Sequence, residues 1–330
     1  MSEISSGDMK ATSIAHPNIA FIKYWGNTDE SLRLPANGSI SMNLAALETI
    51  TKVEFTSSAV ADRLTLNGNP VQGIQLDRVS SFLDLIRARS GIKLFAEVVS
   101  TNNFPSGSGI ASSASGFAAL ALAGSTAAGL HLNENQLSAL ARRGSGSACR
   151  SIPSGFSEWV VGISDESSYA HQLVPQDHWD LVDLILVLDD REKKVGSTTG
   201  HSLAGTSILQ TSRVNDTPRR LNNCRNAILT RDFDALADVI EEDCLLMHAV
   251  MMTSRPALFY WLPETMMIME EVRRIRKTGI PAAFTIDAGA NVHVITTKSY
   301  ADSVRQAFNG ISAIQKIISS SAGGAARLIE

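Results

Sequence analysis

The sequence predicts an α+β fold in two lobes, and three observations carry that expectation. The chain has 330 residues, more than one hydrophobic core usually serves. Period-two alternation of apolar and polar residues marks strands, and helical apolar stripes mark helices. Both patterns occur in both halves, so strands and helices are mixed throughout. The lobe boundary is expected near residue 180, dividing the chain into 1–180 and 181–330.

The elements follow in order. Met1 to Lys10 is polar, lacks the apolar core of a signal peptide, and is expected to be a frayed tail. Lys52 to Phe55 alternates, and Arg63 to Leu66 continues the pattern, so both read as strands. Asp77 to Arg89 reads as a helix, with Asp77 as N-cap, Phe82, Leu83, Leu85 and Ile86 on one side, and Gly91 closing it. Lys93 to Ser100 reads as a strand. A Gly/Ser loop and an Ala-rich helix running to about Ala128 come next. In the second half, Leu181 to Leu188 is nearly all apolar, as in a buried strand. Asp232 to Met252 is a helix with Phe233, Leu236, Ile240, Cys244 and Met247 in its stripe. Pro263 to Lys277 is another, with Pro at its start, Glu264 in the first turn and Gly279 just beyond.

Composition narrows the function classes. Apolar residues make up 44% and charged residues 19%, a globular balance. Net charge is −4 and no basic block would track a phosphate backbone, so nucleic acid is not an expected partner. Cys149, Cys224 and Cys244 form no CxxC pair, which argues against a disulfide framework or a zinc site and fits a reducing, cytoplasmic location. No run of about 18 apolar residues suggests a membrane span.

The densest motif is NNFPSGSGIASSASGFAAL, residues 102–120. Glycine lets backbone N–H groups approach a phosphate, and the following helix N-terminus adds partial positive charge. Ser106, Gly107, Ser108, Gly109, Ala111, Ser112 and Ser113 are therefore the candidate nucleotide-binding residues, although a Ser/Gly turn before a packed Ala helix would read the same. No GxxxxGK[ST] is present, so this is not a Walker loop.

Three further segments accompany it: AHPNIAFIKYWGNTDESLRLPANGSISMNL at 15–44, ARRGSGSACRSIPSGFSEW at 141–159 and FTIDAGANVHVI at 284–295. With the serine loop, they resemble the mevalonate diphosphate decarboxylase family of the GHMP kinase superfamily. That resemblance implies a two-lobed GHMP kinase fold with the active site in the cleft between lobes. It also implies a likeness of Lys23 and Asp287 to the family's catalytic lysine and aspartate, of Tyr24 to a substrate-contacting tyrosine, and of Ser145, Ser147 and Arg150 to its substrate cradle. A guanidinium at Arg150 can hold a carboxylate through two parallel bonds. Arg142 and Arg143 read as helix-end charges. ATP and Mg2+ are the implied cofactors, the metal arriving with ATP and Ser112 or Ser113 its candidate protein ligand. The small-molecule partner implied is a phosphorylated mevalonate, and a homodimer is expected.

The chain also departs from the family pattern. Where diphosphate-specific relatives resemble one another in a second lysine, this chain has Asn27, which removes a cation from a phosphate-clamping position. In KKVGSTTGHSLAGTS, residues 193–207, Ser197 and Thr198 match a phosphate-contacting pair and His201 replaces a methionine. His201 reads equally as a phosphate donor or as a helix histidine facing solvent. In MHAVMMTSRPALFYW, Arg255 either compensates for the lost charge or is merely exposed. Ala290 stands where the family has Pro, in a loop that keeps Gly289 and Asn291. These departures resemble phosphomevalonate decarboxylases of an alternative mevalonate pathway. The expected reaction is therefore ATP-dependent decarboxylation of 5-phosphomevalonate to isopentenyl phosphate, with ADP, phosphate and CO2. Diphosphomevalonate decarboxylation is the alternative. A mevalonate 3-kinase that stops at phosphorylation, and a catalytically silent ligand-sensing relative, stand behind both.

Overall fold

The computed structural model describes residues 9–104, 112–191 and 196–329. The loop residues Ser106, Gly107, Ser108, Gly109 and Ala111 lie outside the described residues, as do Met1 to Asp8. Among the described residues, strands gather into a six-stranded sheet, two four-stranded sheets and a two-stranded ribbon. Helices cover the larger sheets, so the fold is α+β.

The six-stranded sheet carries the strand Thr49–Thr56 at its centre, between Lys10–Ala15 and Phe95–Asn102. Its residues alternate buried and exposed along most of the strand, because one face packs on helices and the other meets solvent. The helices Ile74–Ser90, Ser112–Ala127 and Glu134–Gly144 supply the covering layer through Phe82, Leu83, Ile86, Phe117, Leu120, Leu137 and Leu140. The Ala-rich helix packs closely because its side chains are small. Gly144 lets the next helix come closer still: a Cβ there would sit 2.1 Å from the Phe117 ring.

A second core joins the two halves of the chain. Ile19, Phe21, Ile40 and Phe156 from one four-stranded sheet pack with Leu181, Ile185 and Ile295 from the other, and with Ile228, Leu236 and Ile240 from the helices Gln210–Thr230 and Phe233–Thr253. The strand Leu181–Val187 is buried throughout, as its apolar run predicts. Its far face packs against Ile268, Val272 and Ile275 of the helix Pro263–Lys277.

Several expectations need correction. Ile74 opens the first helix after Gly73, so Asp77 lies within the first turn instead of capping it; its N–H donates to the Gly73 carbonyl. Gly91 does close that helix, in a left-handed conformation. The strand after it runs Phe95–Asn102, two residues later than the alternation suggested. Lys10 is the first residue of a sheet strand and not the end of a frayed tail. Arg142 is not an open helix-end charge: it is fully buried and meets Asp165, which also accepts from Arg143 Nη1 at 3.1 Å. The C-terminal segment contributes two strands, Lys316–Ser321 beside Leu181–Val187, and Arg327–Ile329 on the outer edge of Lys10–Ala15. Among the described residues, no helix is long and apolar enough to cross a membrane.

Candidate active site

A cavity of about 500 Å3 lies where the strand Asn18–Ile22, the helix Ser112–Ala127, the turn Gly146–Ser151 and the loop after Thr285 converge. Its size suits a small ligand. Lys23, Tyr24, Ser112, Ser113, Ser145, Ser147, Arg150, Ser197, Thr198, His201 and Asp287 all line it. Residues far apart in sequence and singled out by their motifs therefore share one wall-to-wall space.

Lys23 and Asp287 form its most buried ion pair. Lys23 Nζ donates to Asp287 Oδ1 at 2.6 Å, with the lysine side chain 2% exposed and the aspartate 27%. A cation so enclosed needs its partner, and the pairing fixes the more exposed carboxylate at the opening. The backbone of Lys23 is pinned on both sides. Its N–H donates to Asp243 Oδ2 at 2.6 Å, and its carbonyl accepts from Asn37 Nδ2 at 2.9 Å and Arg213 Nη2 at 2.8 Å. Asp243 is in turn held by Arg220 Nε at 2.8 Å, all of it buried. On the other side, the Ile286 N–H donates to Cys244 Sγ at 3.2 Å, and His248 Nε2 lies 3.3 Å from the Ile286 carbonyl. Burial pushes the His248 imidazole down to about 3, so it is neutral and donates to that carbonyl. The residue just before Asp287 is thus held at both its N–H and its carbonyl.

Arg150 faces this pair from the short helical turn Gly146–Ser151. It is 3% exposed, stacks over the Trp159 ring at 5.7 Å and donates from Nη2 to Asn18 Oδ1 at 3.2 Å. Its Nε and Nη1 are buried with no hydrogen-bond partner. Burial holds its affinity for the proton below the usual arginine range. A buried guanidinium with two unanswered donors, set in a cavity wall, fits a carboxylate that enters with a ligand.

The serines form a chain: Ser113 Oγ lies 3.2 Å from Ser145 Oγ, which lies 3.4 Å from Ser147 Oγ. Gly146 between them is required by contact, since a Cβ there would come within 2.6 Å of the Tyr24 ring. Tyr24 is wedged between Trp159, at 4.7 Å, and His201, at 4.1 Å. His201 is therefore not a solvent-facing histidine. It stacks on Tyr24, and its Nδ1 accepts from the Gly26 N–H at 3.0 Å, which places the ring proton on Nε2. Ser197 and Thr198 are exposed at the mouth.

Asn27 stands one step behind the wall. Its Oδ1 accepts from the Tyr24 hydroxyl at 2.5 Å, and its Nδ2 donates to Glu30 Oε2 at 2.8 Å. Arg255 is exposed outside the cavity, with its N–H donating to Thr206 Oγ1, so it does not compensate there for a missing charge. Two cations that the motifs did not reveal do line the cavity: Arg33 and Arg78. No spacing rule marks them, because one sits on a turn and the other on a helix that carries no motif.

Magnesium fits the site only as a companion of phosphate. Among the described residues, no group of three His, Cys, Asp or Glu side chains could cage a metal ion. The donors near the loop are the Ser112 and Ser113 hydroxyls, which suit a magnesium ion already held by nucleotide oxygens.

Residues 15–170 match the family described as Diphosphomevalonate decarboxylase-like N-terminal domain, and residues 183–327 match the Mevalonate 5-diphosphate decarboxylase C-terminal domain. The chain belongs to the diphosphomevalonate decarboxylase family. Its similarity to curated relatives runs nearly end to end. A diphosphomevalonate decarboxylase of Candida albicans is 37% identical over 315 residues, covering 90% of this chain and 87% of that protein. A phosphomevalonate decarboxylase of Haloferax volcanii is 34% identical over 301 residues, covering 91% and 92%. The solved mevalonate diphosphate decarboxylase from Staphylococcus aureus superposes with a TM-score of 0.92 at 40% identity, over 97% of this chain and 98% of that one. A complex of MDDEF with MVAPP, AMPPCP and magnesium also gives 0.92, at 39% identity, over 98% and 100%. The fold is that of the GHMP kinase superfamily, and the chain is an ATP-dependent enzyme of this decarboxylase family.

Proposed function

We propose that this enzyme decarboxylates 5-phosphomevalonate, using ATP, to give isopentenyl phosphate, ADP, phosphate and CO2. The observation that carries the reading is the Lys23–Asp287 pair, facing the unanswered donors of Arg150 across one cavity. Asp287 orients the tertiary 3-hydroxyl and accepts its proton as the hydroxyl oxygen takes the γ-phosphoryl group of ATP. Lys23 orients the Asp287 carboxylate and steadies charge on the moving phosphoryl group. Arg150 grips the C1 carboxylate through Nε and Nη1. Phosphate then leaves C3 with the C–O electron pair. The C1–C2 bond breaks, CO2 departs, and that electron pair becomes the C2=C3 double bond. Magnesium supplies charge neutralisation on the nucleotide phosphates, with Ser112 and Ser113 as the hydroxyls that would help hold it; positioning and charge are most of what phosphoryl transfer needs.

The monophosphate reading rests on Asn27. Its amide is occupied by Tyr24 and by the Glu30 carboxylate, so position 27 itself offers a second phosphate no cation and brings one negative charge near. The diphosphate reading is supported by the relatives, which carry both names, and by the second guanidinium at Arg78. A 3-kinase that stops at phosphorylation would have little use for the buried Lys23–Asp287 pair. Turnover with ATP on mevalonate, 5-phosphomevalonate and 5-diphosphomevalonate, with ADP and CO2 measured together, tests all three. CO2 from 5-phosphomevalonate at the highest kcat/KM is expected. ADP without CO2 would leave the kinase reading in its place.

A further inference from the structure

Arg33 and Arg78 are cavity-lining arginines with no carboxylate partner among the described residues. Arg33 Nε donates to the Arg143 carbonyl at 3.0 Å, and Arg78 Nη2 donates to the Gly144 carbonyl at 3.2 Å. Both acceptors belong to the last turn of the helix Glu134–Gly144, where carbonyls lack intrahelical partners and the helix end is partially negative. One helix terminus therefore anchors two guanidiniums at the cavity wall, immediately before Ser145, Gly146 and Ser147. Arg78 also lies over the Phe117 ring at 5.1 Å. Burial first, and then the nearby charge of Arg33, lowers the proton affinity of Arg78. Glu30, the nearby acid, is bonded to Asn27 instead.

Arg33 also occupies a left-handed backbone conformation, with φ 52°. Asparagine or glycine is the ordinary occupant of such a position, and a long side chain there is disfavoured. An arginine held against backbone preference, half-buried, beside Tyr24 and with no acid paired to it among the described residues, is arranged to meet an anion.

We propose that Arg33 is the specificity residue that holds the phosphate group at the tail of the substrate, taking the role that the uncharged Asn27 does not fill. The proposal rests on the substrate reading above. In this arrangement the phosphate lies against Arg33 with the Tyr24 hydroxyl and the serine chain beside it, while Arg150 holds the carboxylate at the other end. Arg78, which lies over the Phe117 ring, adds positive potential to the same wall. Spacing the two anionic ends between two fixed arginines would select for chain length as well as charge.

The test is equilibrium titration of the folded enzyme with three ligands: mevalonate, 5-phosphomevalonate and the magnesium complex of AMPPCP. Arg33→Asn suits the left-handed backbone and removes only the charge and the long stem. Its dissociation constant for 5-phosphomevalonate is expected to rise about ten-fold or more, the scale of a charged hydrogen bond. Binding of mevalonate and of the nucleotide should be unchanged. Arg33→Lys keeps the charge without the fork and should lose less than Arg33→Asn. Unchanged binding of 5-phosphomevalonate would overturn the proposal. So would equal weakening of mevalonate, which would mean a structural role, or weakening confined to AMPPCP, which would assign Arg33 to nucleotide phosphate. A lysine variant as weak as the asparagine variant would also count against it. CO2 release by the wild-type enzyme is scored separately, so an error in the decarboxylation reading shows there and not in the titration.

Discussion

The ammonium of Lys23 and the carboxylate of Asp287 meet at 2.6 Å across 264 positions of sequence, and each is fixed through its backbone before the side chains touch. Asp243 and Arg213 hold the lysine's peptide groups, while Cys244 and His248 hold the peptide before the aspartate. All but Arg213 project from the helix Phe233–Thr253. One helix thus sets the spacing of the pair from both sides.

Asp287→Asn should fold and bind substrate yet lose turnover. An amide cannot accept the hydroxyl proton, and a general base of this kind contributes on the order of a hundred-fold or more in kcat. Steady-state assays check this, and a variant keeping more than half of wild-type kcat would remove Asp287 from the role.

Arg150→Lys is not a conservative change. A lysine presents a point charge where Nε and Nη1 present a planar fork, so kcat/KM should fall about ten-fold or more, roughly 1.4 kcal/mol. Kinetics equal to wild type would show that no substrate carboxylate rests on this guanidinium.

Gly146→Ala probes the packing of Tyr24. The added methyl would press on a ring already held by Trp159 and His201, so the ring or the serine turn must shift. Displacements of that kind in a reactive geometry can cost up to about a hundred-fold. We expect at least a roughly ten-fold drop in kcat/KM with little change in melting temperature. An unaffected kcat/KM would show the turn to be more compliant than its contacts indicate.

His248 should make the fold acid-sensitive. Its folded value of about 3 lies below the ordinary 6.5, so between those limits the unfolded chain binds a proton that the folded chain refuses. Stability from this group is full above about pH 6.5 and drains away as pH falls through the window. In urea titrations, His248→Gln should be weaker than wild type near neutrality but lose less on going to pH 5. Parallel pH curves for the two proteins would contradict that assignment.

Asn27→Lys tests substrate length. An ammonium beside Tyr24 offers charge to a longer tail, so the ratio of kcat/KM for 5-diphosphomevalonate over 5-phosphomevalonate should rise by about ten-fold. The same ratio before and after substitution would mean that Asn27 takes no part in the choice.

Much of the cavity was legible because its residues sit in short contiguous motifs. Lys23 and Tyr24 share a strand end, Ser145 to Arg150 share a turn, and Asp287 precedes a glycine loop. Helices with clear caps were legible too, such as Pro263–Lys277. What escaped was set by distance or by backbone. The helix Gln210–Thr230 is polar overall and carries Pro218 in its interior, which reads as a break. It nevertheless delivers Arg213 and Arg220 to the support of Lys23. Arg33 gives no signal as a letter in a loop; only a left-handed φ and a helix end elsewhere turn it toward the cavity. Arg142 was misread because a basic residue near a helix end is usually solvated, and its acid, Asp165, comes from a distant turn.

The strand Arg327–Ile329 on the edge of Lys10–Ala15 imposes an order of events on synthesis. A growing chain displays Lys10–Ala15 first and can lay Thr49–Thr56 against its inner side about forty residues later. Its outer side must wait until residues 327–329 have been made. Throughout that interval the nascent sheet carries a row of unmatched peptide groups, open to strands of neighbouring chains on the same message. The strand Arg327–Ile329 therefore acts as a closing seam, and the hazard it removes is greatest when ribosomes are crowded.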